Sequence, residues 1–225
     1  IRKKALWPNH PDVAQSLSNL AHVYFQQGRY IDAETLNKRS LAIRKKVLRP
    51  NHPDVVTSHN NLASVYLIQG RYALAEPLLK RSLAVNEIAL GPNHPRVAMS
   101  LNNLAELYKV QAQYNTAAPL YKRSLEVNER ALGPNHPDVA LNLKNLAELN
   151  HIQGNYTAAE PLYERSLKIY EKALGPNHPE MASSRNLLAK LYVQQGRYTA
   201  AEPLYKRSIG NSEKALGPKH PGVAA

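Results

Sequence analysis

The sequence contains no cysteine, one tryptophan, one phenylalanine and two methionines in 225 residues. Without cysteine there can be no disulfide, no thiolate metal site and no thiol nucleophile. That fits a reducing compartment, so a cytoplasmic location is expected. Apart from 13 tyrosines, large aromatics are too few for one conventional central core. No apolar run approaches the roughly 18 residues that a membrane span needs. Ile1-Arg2-Lys3-Lys4 leads into no signal-like apolar segment. These absences argue against a membrane partner and against a disulfide-stapled secreted module.

What the chain does have is punctuation. Pro-Asn-His-Pro begins at Pro8, Pro50, Pro92, Pro134 and Pro176, and Pro-Lys-His-Pro at Pro218, a spacing of 42 residues each time. A constant period of this size marks a small supersecondary unit copied in tandem. Of the 16 prolines, 12 lie in these loops, and Pro77, Pro119, Pro161 and Pro203 share one further position. Gly28, Gly70, Gly154 and Gly196 also share one position, filled by Ala112 in the third copy. A glycine there ends one helix before the chain reverses. Each copy therefore reads as helix, short turn, helix, proline loop.

The first helix of each pair should start at the second loop proline, where a missing N–H costs nothing. From Pro11 it should run to about Gln27, with Val13, Leu17, Leu20, Ala21 and Tyr24 as the buried stripe of an amphipathic helix. The second should run from about Tyr30 to Leu48, with Ala33, Leu36 and Leu41 inward and Lys38-Arg39 outward. The expected organisation is a single all-α array. Its helix pairs fall at about 11–48, 53–90, 95–132, 137–174 and 179–216, with partial copies at 1–6 and 219–225.

Leu101-Asn102-Asn103-Leu104-Ala105-Glu106-Leu107-Tyr108, followed by Tyr114, Ala117 and Pro119 through Leu125, resembles the tetratricopeptide repeat of the kinesin light chain type. The resemblance covers essentially the whole chain. The usual tetratricopeptide period is 34, and the longer unit with a Gly-Pro-Asn-His-Pro loop looks like the light-chain variant and its prokaryotic relatives. The resemblance implies a right-handed superhelix of antiparallel helix pairs. It also implies a concave groove, lined by the first helices, that takes extended peptide segments of partner proteins.

Side-chain geometry gives that groove a composition. With the buried stripe fixed, Asn19, Asn61, Asn103 and Asn145 stack at one level of the first helices, followed by Leu187. Each amide offers a donor and an acceptor, so such a ladder can pair with successive backbone amides of a peptide. The alternative is that each asparagine bonds within the array. Specificity is expected from levels that vary: Asn60, Asn102, Lys144 and Asn186 at one, Glu106, Glu148 and Lys190 at another, and Lys109 and His151 beside Phe25, Leu67 and Val193 at a third. The expected ligand is a peptide with one apolar anchor and some polar or charged positions.

The net charge of +12 raises the question of nucleic acid. However, Lys38-Arg39, Lys80-Arg81, Lys122-Arg123, Arg165 and Lys206-Arg207 recur on one outward face of the second helices. A periodic stripe of this kind is a solvated face, or a meeting point for an acidic partner. Six of the nine histidines are loop copies, each a whole repeat from the next, so they cannot converge on one metal ion. A cap at the helix start is the expected role. No nucleophile, acid–base pair or phosphate loop stands out from the repeated background, so neither catalysis nor a cofactor is expected. Asn150 replaces a tyrosine found at Tyr24, Tyr66, Tyr108 and Tyr192, which predicts a weaker fourth copy. Ala118 stands where Glu34, Glu76, Glu160 and Glu202 stand elsewhere. Both ends read as truncated helices, which predicts end-to-end association.

Overall fold

The computed structural model describes residues 10–216, with side chains as far as Gly210. Ten helices follow one another, and no strand occurs among the described residues. The first helices of the pairs are α1 (Pro11–Gln26), α3 (Pro53–Ile68), α5 (Pro95–Val110), α7 (Pro137–Ile152) and α9 (Pro179–Gln194). The second helices are α2 (Tyr30–Val47), α4 (Tyr72–Leu90), α6 (Tyr114–Leu132), α8 (Tyr156–Leu174) and α10 (Tyr198–Leu216). The partial copies at 1–6 and 219–225, and the loop at Pro218, lie outside the described residues.

Local chemistry sets these boundaries. Each first helix opens on a loop proline, and the histidine before it is the N-cap. Nδ1 of His10, His52, His94, His136 and His178 accepts the backbone N–H two residues on, at 3.1–3.3 Å. An accepting Nδ1 requires the neutral ring protonated on Nε2. Five loop histidines thus brace helix starts, and no metal-sized cluster of three or more His, Asp or Glu exists among the described residues. The first helices end in the left-handed region, with φ of 74° at Gly28 and, in the third copy, 57° at Ala112. A Cβ in that region costs roughly 1 kcal/mol. The second helices run unbroken through Pro77, Pro119, Pro161 and Pro203. In the first copy the same place is Thr35, whose hydroxyl donates to the Ile31 carbonyl.

The chain divides into two compact units, Ile1–Ala112 and Gln113–Ala225. The division falls at the turn where Ala112 stands in the place of glycine. In the first unit each of α1 to α5 packs on its sequence neighbours, and α1 also meets α3. In the second unit α6 to α10 do the same, and α7 meets α9.

Burial is shared between copies. One cluster joins Ala147 of α7, Ala159 and Tyr163 of α8, Leu188, Leu191 and Tyr192 of α9, and Ala201 of α10. Another joins Val139 and Leu143 of α7 to Ile169 and Tyr170 of α8 and Met181 of α9. No single pair could bury these side chains alone, which is the physical basis of a repeat fold. Leu20 departs from the expected stripe. It is 41% exposed, whereas Leu62, Leu104, Leu146 and Leu188 are buried. Leu188 shares its cluster with residues of the preceding copy, and α1 has no preceding pair among the described residues.

Polar side chains also sit in the core. Ser40, Ser166 and Ser208 donate to the carbonyls of Ala14, Ala140 and Ala182, tying second helix to first within a copy. Between copies, Arg44 donates to Ser58, Asn86 to Ser100 and Asn128 to Asn142. Pairing of this kind offsets the cost of taking these polar groups out of water.

Candidate functional site

The asparagine level of the first helices is partly open and partly engaged. In the first unit Asn19 is exposed, and its Oδ1 accepts from Gln15 Nε2 at 2.8 Å. Gln15 in turn accepts from the buried Arg44, which also reaches the Asp54 carbonyl. Burial pulls the Arg44 guanidinium below its usual range. Asn61 and Asn103 are half-buried. Asn60 and Asn102, one residue earlier, are also half-buried, and the side-chain oxygen of Asn60 has no partner.

Asn61 lines a cleft of about 230 Å³ between α1 and α3. Ala21, Phe25 and Val65 supply apolar wall, and His22, Ser64 and Asn37 supply polar groups. Asn37 explains the opening. Its place is taken by Tyr121 and Tyr163 in the third and fourth copies, both fully buried. The smaller amide is 4% exposed, and its Oδ1 has no hydrogen-bond partner. The result is an apolar hollow with an unsatisfied polar base, and a buried group of that kind costs free energy until a partner supplies the bond.

The second unit is more closed at the same levels. Lys144 forms an ion pair with Glu180 of the next copy at 2.7 Å. His151 is 8% exposed, meets Gln194 through Nε2, and lies edge-on to Tyr156 and Tyr163. Asn145 and Glu148 are half-buried and interact within the protein. Asn186 and Lys190 are exposed. In the first unit, Lys109 pairs with Glu106 at 2.9 Å. Several of the candidate groove residues of the first helices thus pair with neighbouring side chains.

A second set of residues clamps copy to copy. Arg71 donates to Glu34 at 2.7 Å and stacks over Tyr66, while Arg197 donates to Glu160 and stacks over Tyr192. The Tyr108 hydroxyl donates to Glu76 at 2.9 Å. The hydrogen bond from Arg197 holds the Glu160 carboxyl below its usual range, and burial pushes Tyr192 up to about 12. At the junction of copies three and four the corresponding residues are Ala118, Asn150 and Asn155, so the clamp is missing. Asn150 instead donates to the Leu146 carbonyl of its own helix.

Four of the nine basic residues of the outward stripe are paired with carboxylates. Lys38 pairs with Glu34, Lys80 with Glu76, Arg165 with Glu129 and Lys206 with Glu202. No helix among the described residues is long and apolar enough to cross a membrane.

Sequence reasoning missed Asn37, His59 and Arg44. Each is a polar residue at a position that other copies fill differently, and that contrast was the available signal.

The chain matches the tetratricopeptide repeat model at residues 12–88, 54–127, 96–172 and 140–214. Comparison with curated proteins gives no match. Among solved structures, it is similar to nearly identical TPR-like repeats of a Podosopora anserina protein assigned to the kinesin light chains. That match has 28% identity and a TM-score of 0.72, over 92% of this chain and 98% of that one. It is also similar in fold to BtubC (BKLC) from P. vanneervenii, with 24% identity and a TM-score of 0.76, over 94% of this chain and 84% of that one. A Rap protein in complex with Competence and Sporulation Factor shares the fold at 16% identity and a TM-score of 0.75, over 88% and 53% of the two chains. Folds of this kind serve as protein-interaction scaffolds. With ten helices in repeated pairs, histidine-capped proline loops and a family match from residue 12 to residue 214, the chain belongs to the tetratricopeptide repeat family, with repeats of the kinesin light chain type.

Proposed function

We propose that the chain captures extended peptide segments of partner proteins along the face of its first helices. Asn61 and Asn103 pair with peptide backbone amides, as Asn145 does in the second unit, and the side chains at neighbouring levels choose among sequences. No catalytic step is part of this reading. The observation that carries it is the cleft between α1 and α3, where Ala21, Phe25 and Val65 surround the unsatisfied amide of Asn37. A hollow of that size takes one apolar side chain as an anchor, since about 150 Å³ already holds a benzene-sized group. Extended segments bound in this manner draw affinity from backbone pairing and specificity from such pockets.

The test starts from peptides selected from a displayed random library on the 225-residue chain. Their affinity is then measured by fluorescence anisotropy. Asn61→Ala with Asn103→Ala should weaken binding of every selected peptide at least about tenfold, because each amide hydrogen bond lost on binding is worth roughly 1 kcal/mol. Asn37→Tyr should fill the cleft and select against the anchor side chain alone. Unchanged affinity in both variants, with unchanged melting, would leave a purely structural array as the better reading.

A further inference from the structure

A second hollow of the first unit shares no lining residue with the first, and a charge reversal borders it. In the fourth copy Arg165 forms an ion pair with Glu129 of the preceding copy. The corresponding residues of copies two and one are Arg81 and Lys45. A cation thus faces a cation where elsewhere a cation meets a carboxylate. Among the described residues neither has a carboxylate partner, although Arg81 reaches the Asn51 side-chain oxygen at 3.4 Å. Like charges set against each other destabilise a fold unless an anion from outside joins them.

The two cations border a cleft of about 460 Å³, whose apolar wall includes Val55, Pro77 and Leu78. His59 also lines it. That position is leucine in copies three and four, where Leu101 and Leu143 are fully buried. His59 is 4% exposed, and its Nδ1 has no partner in the protein. Burial, reinforced by Lys45 and Arg81, holds its pKa down to about 4. At neutral pH it is therefore an uncharged polar group inside an apolar hollow.

We propose that this cleft binds a compact organic anion, a carboxylate on an aromatic body. The carboxylate lies between Lys45 and Arg81, the rings rest on Val55, Pro77 and Leu78, and the imidazole of His59 is left for the ligand to meet. The volume suits a small-molecule site and accommodates two fused rings, given that about 150 Å³ takes one. The site is separate from the asparagine face, so its fate does not depend on peptide binding.

Naphthoate is the probe and naphthamide the uncharged control, with binding followed by intrinsic ligand fluorescence on the full chain. Saturable naphthoate binding is expected, with naphthamide at least about tenfold weaker, because a charge-assisted contact is worth more than about 1.4 kcal/mol. Lys45→Glu recreates the carboxylate found at Glu129. It should lose naphthoate binding at least tenfold while melting at the wild-type temperature or above. Arg81→Gln should also lose binding, and His59→Leu should weaken it without affecting the salt dependence. Absence of saturable binding to the wild type would overturn the proposal. So would equal affinity for naphthamide, or undiminished binding by both Lys45→Glu and Arg81→Gln.

Discussion

The missing clamp between copies three and four makes a quantitative test of what joins the repeats. At other junctions a tyrosine is 6–8% exposed, as at Tyr66, Tyr108 and Tyr192, and meets a glutamate or a glutamate-bound arginine. In the fourth copy Asn150 is half-buried and Ala118 stands where the glutamate would be. Asn150→Tyr adds a ring whose full burial is worth about 1.5–3 kcal/mol. It forfeits the asparagine's bond to the Leu146 carbonyl, a loss of about 1 kcal/mol. The net gain is about 0.5–2 kcal/mol. For a chain of this length that raises the midpoint by about 1–8 °C. Ala118→Glu alone should do nearly nothing, since it adds a carboxylate with no tyrosine to receive. Together the two should exceed the sum of the single effects by about 0.5–1 kcal/mol, the worth of a partly exposed charge-assisted bond. Thermal and urea unfolding of the four proteins measures this, with hydrogen exchange in α7 and α8 reporting the local gain. A midpoint that does not rise in Asn150→Tyr, or a coupling of zero, would refute the view that this clamp stabilises the junctions.

Three further outcomes follow from single residues. Ala112→Gly relieves a left-handed alanine at φ 57° and should stabilise by about 0.5–1 kcal/mol in urea unfolding, whereas Gly154→Ala should destabilise by a similar amount. Acid should unfold the first unit through His59. Its pKa falls from 6.5 in the unfolded chain to about 4 in the fold, so the unfolded state takes up the proton first. Stability is full above pH 6.5 and is lost as pH falls toward 4, by up to roughly 3 kcal/mol, and His59→Leu should flatten that part of the pH profile. Arg44→Asn can still bond Ser58, as Asn86 bonds Ser100, and should be tolerated better than Arg44→Ala, which leaves buried acceptors unpaired at about 1–3 kcal/mol. Equal melting of those two variants would contradict it.

The helices were legible because their signals are local. A loop histidine and proline fix each start within three residues, and a left-handed turn fixes each stop, so the chain carries these instructions wherever it is read. The apolar stripe was legible for the same reason, except at Leu20, whose cover depends on a copy before it. The candidate faces were less legible. Nothing in the spacing of Lys144 shows that it will meet Glu180, or that His151 will turn inward beside Tyr163.

The sequence by itself determined that this is an all-α repeat protein, where each helix begins and ends, and which residues recur at each level, since period, caps and turns act over a few residues. Only the tertiary structure decided which asparagines are open, which lysines are already paired, and that Lys45 faces Arg81 across a hollow beside His59. Those outcomes depend on which side chains of successive copies come within bonding distance. That distance is set by helix packing between residues some 36 positions apart and leaves no mark on either neighbourhood of the chain.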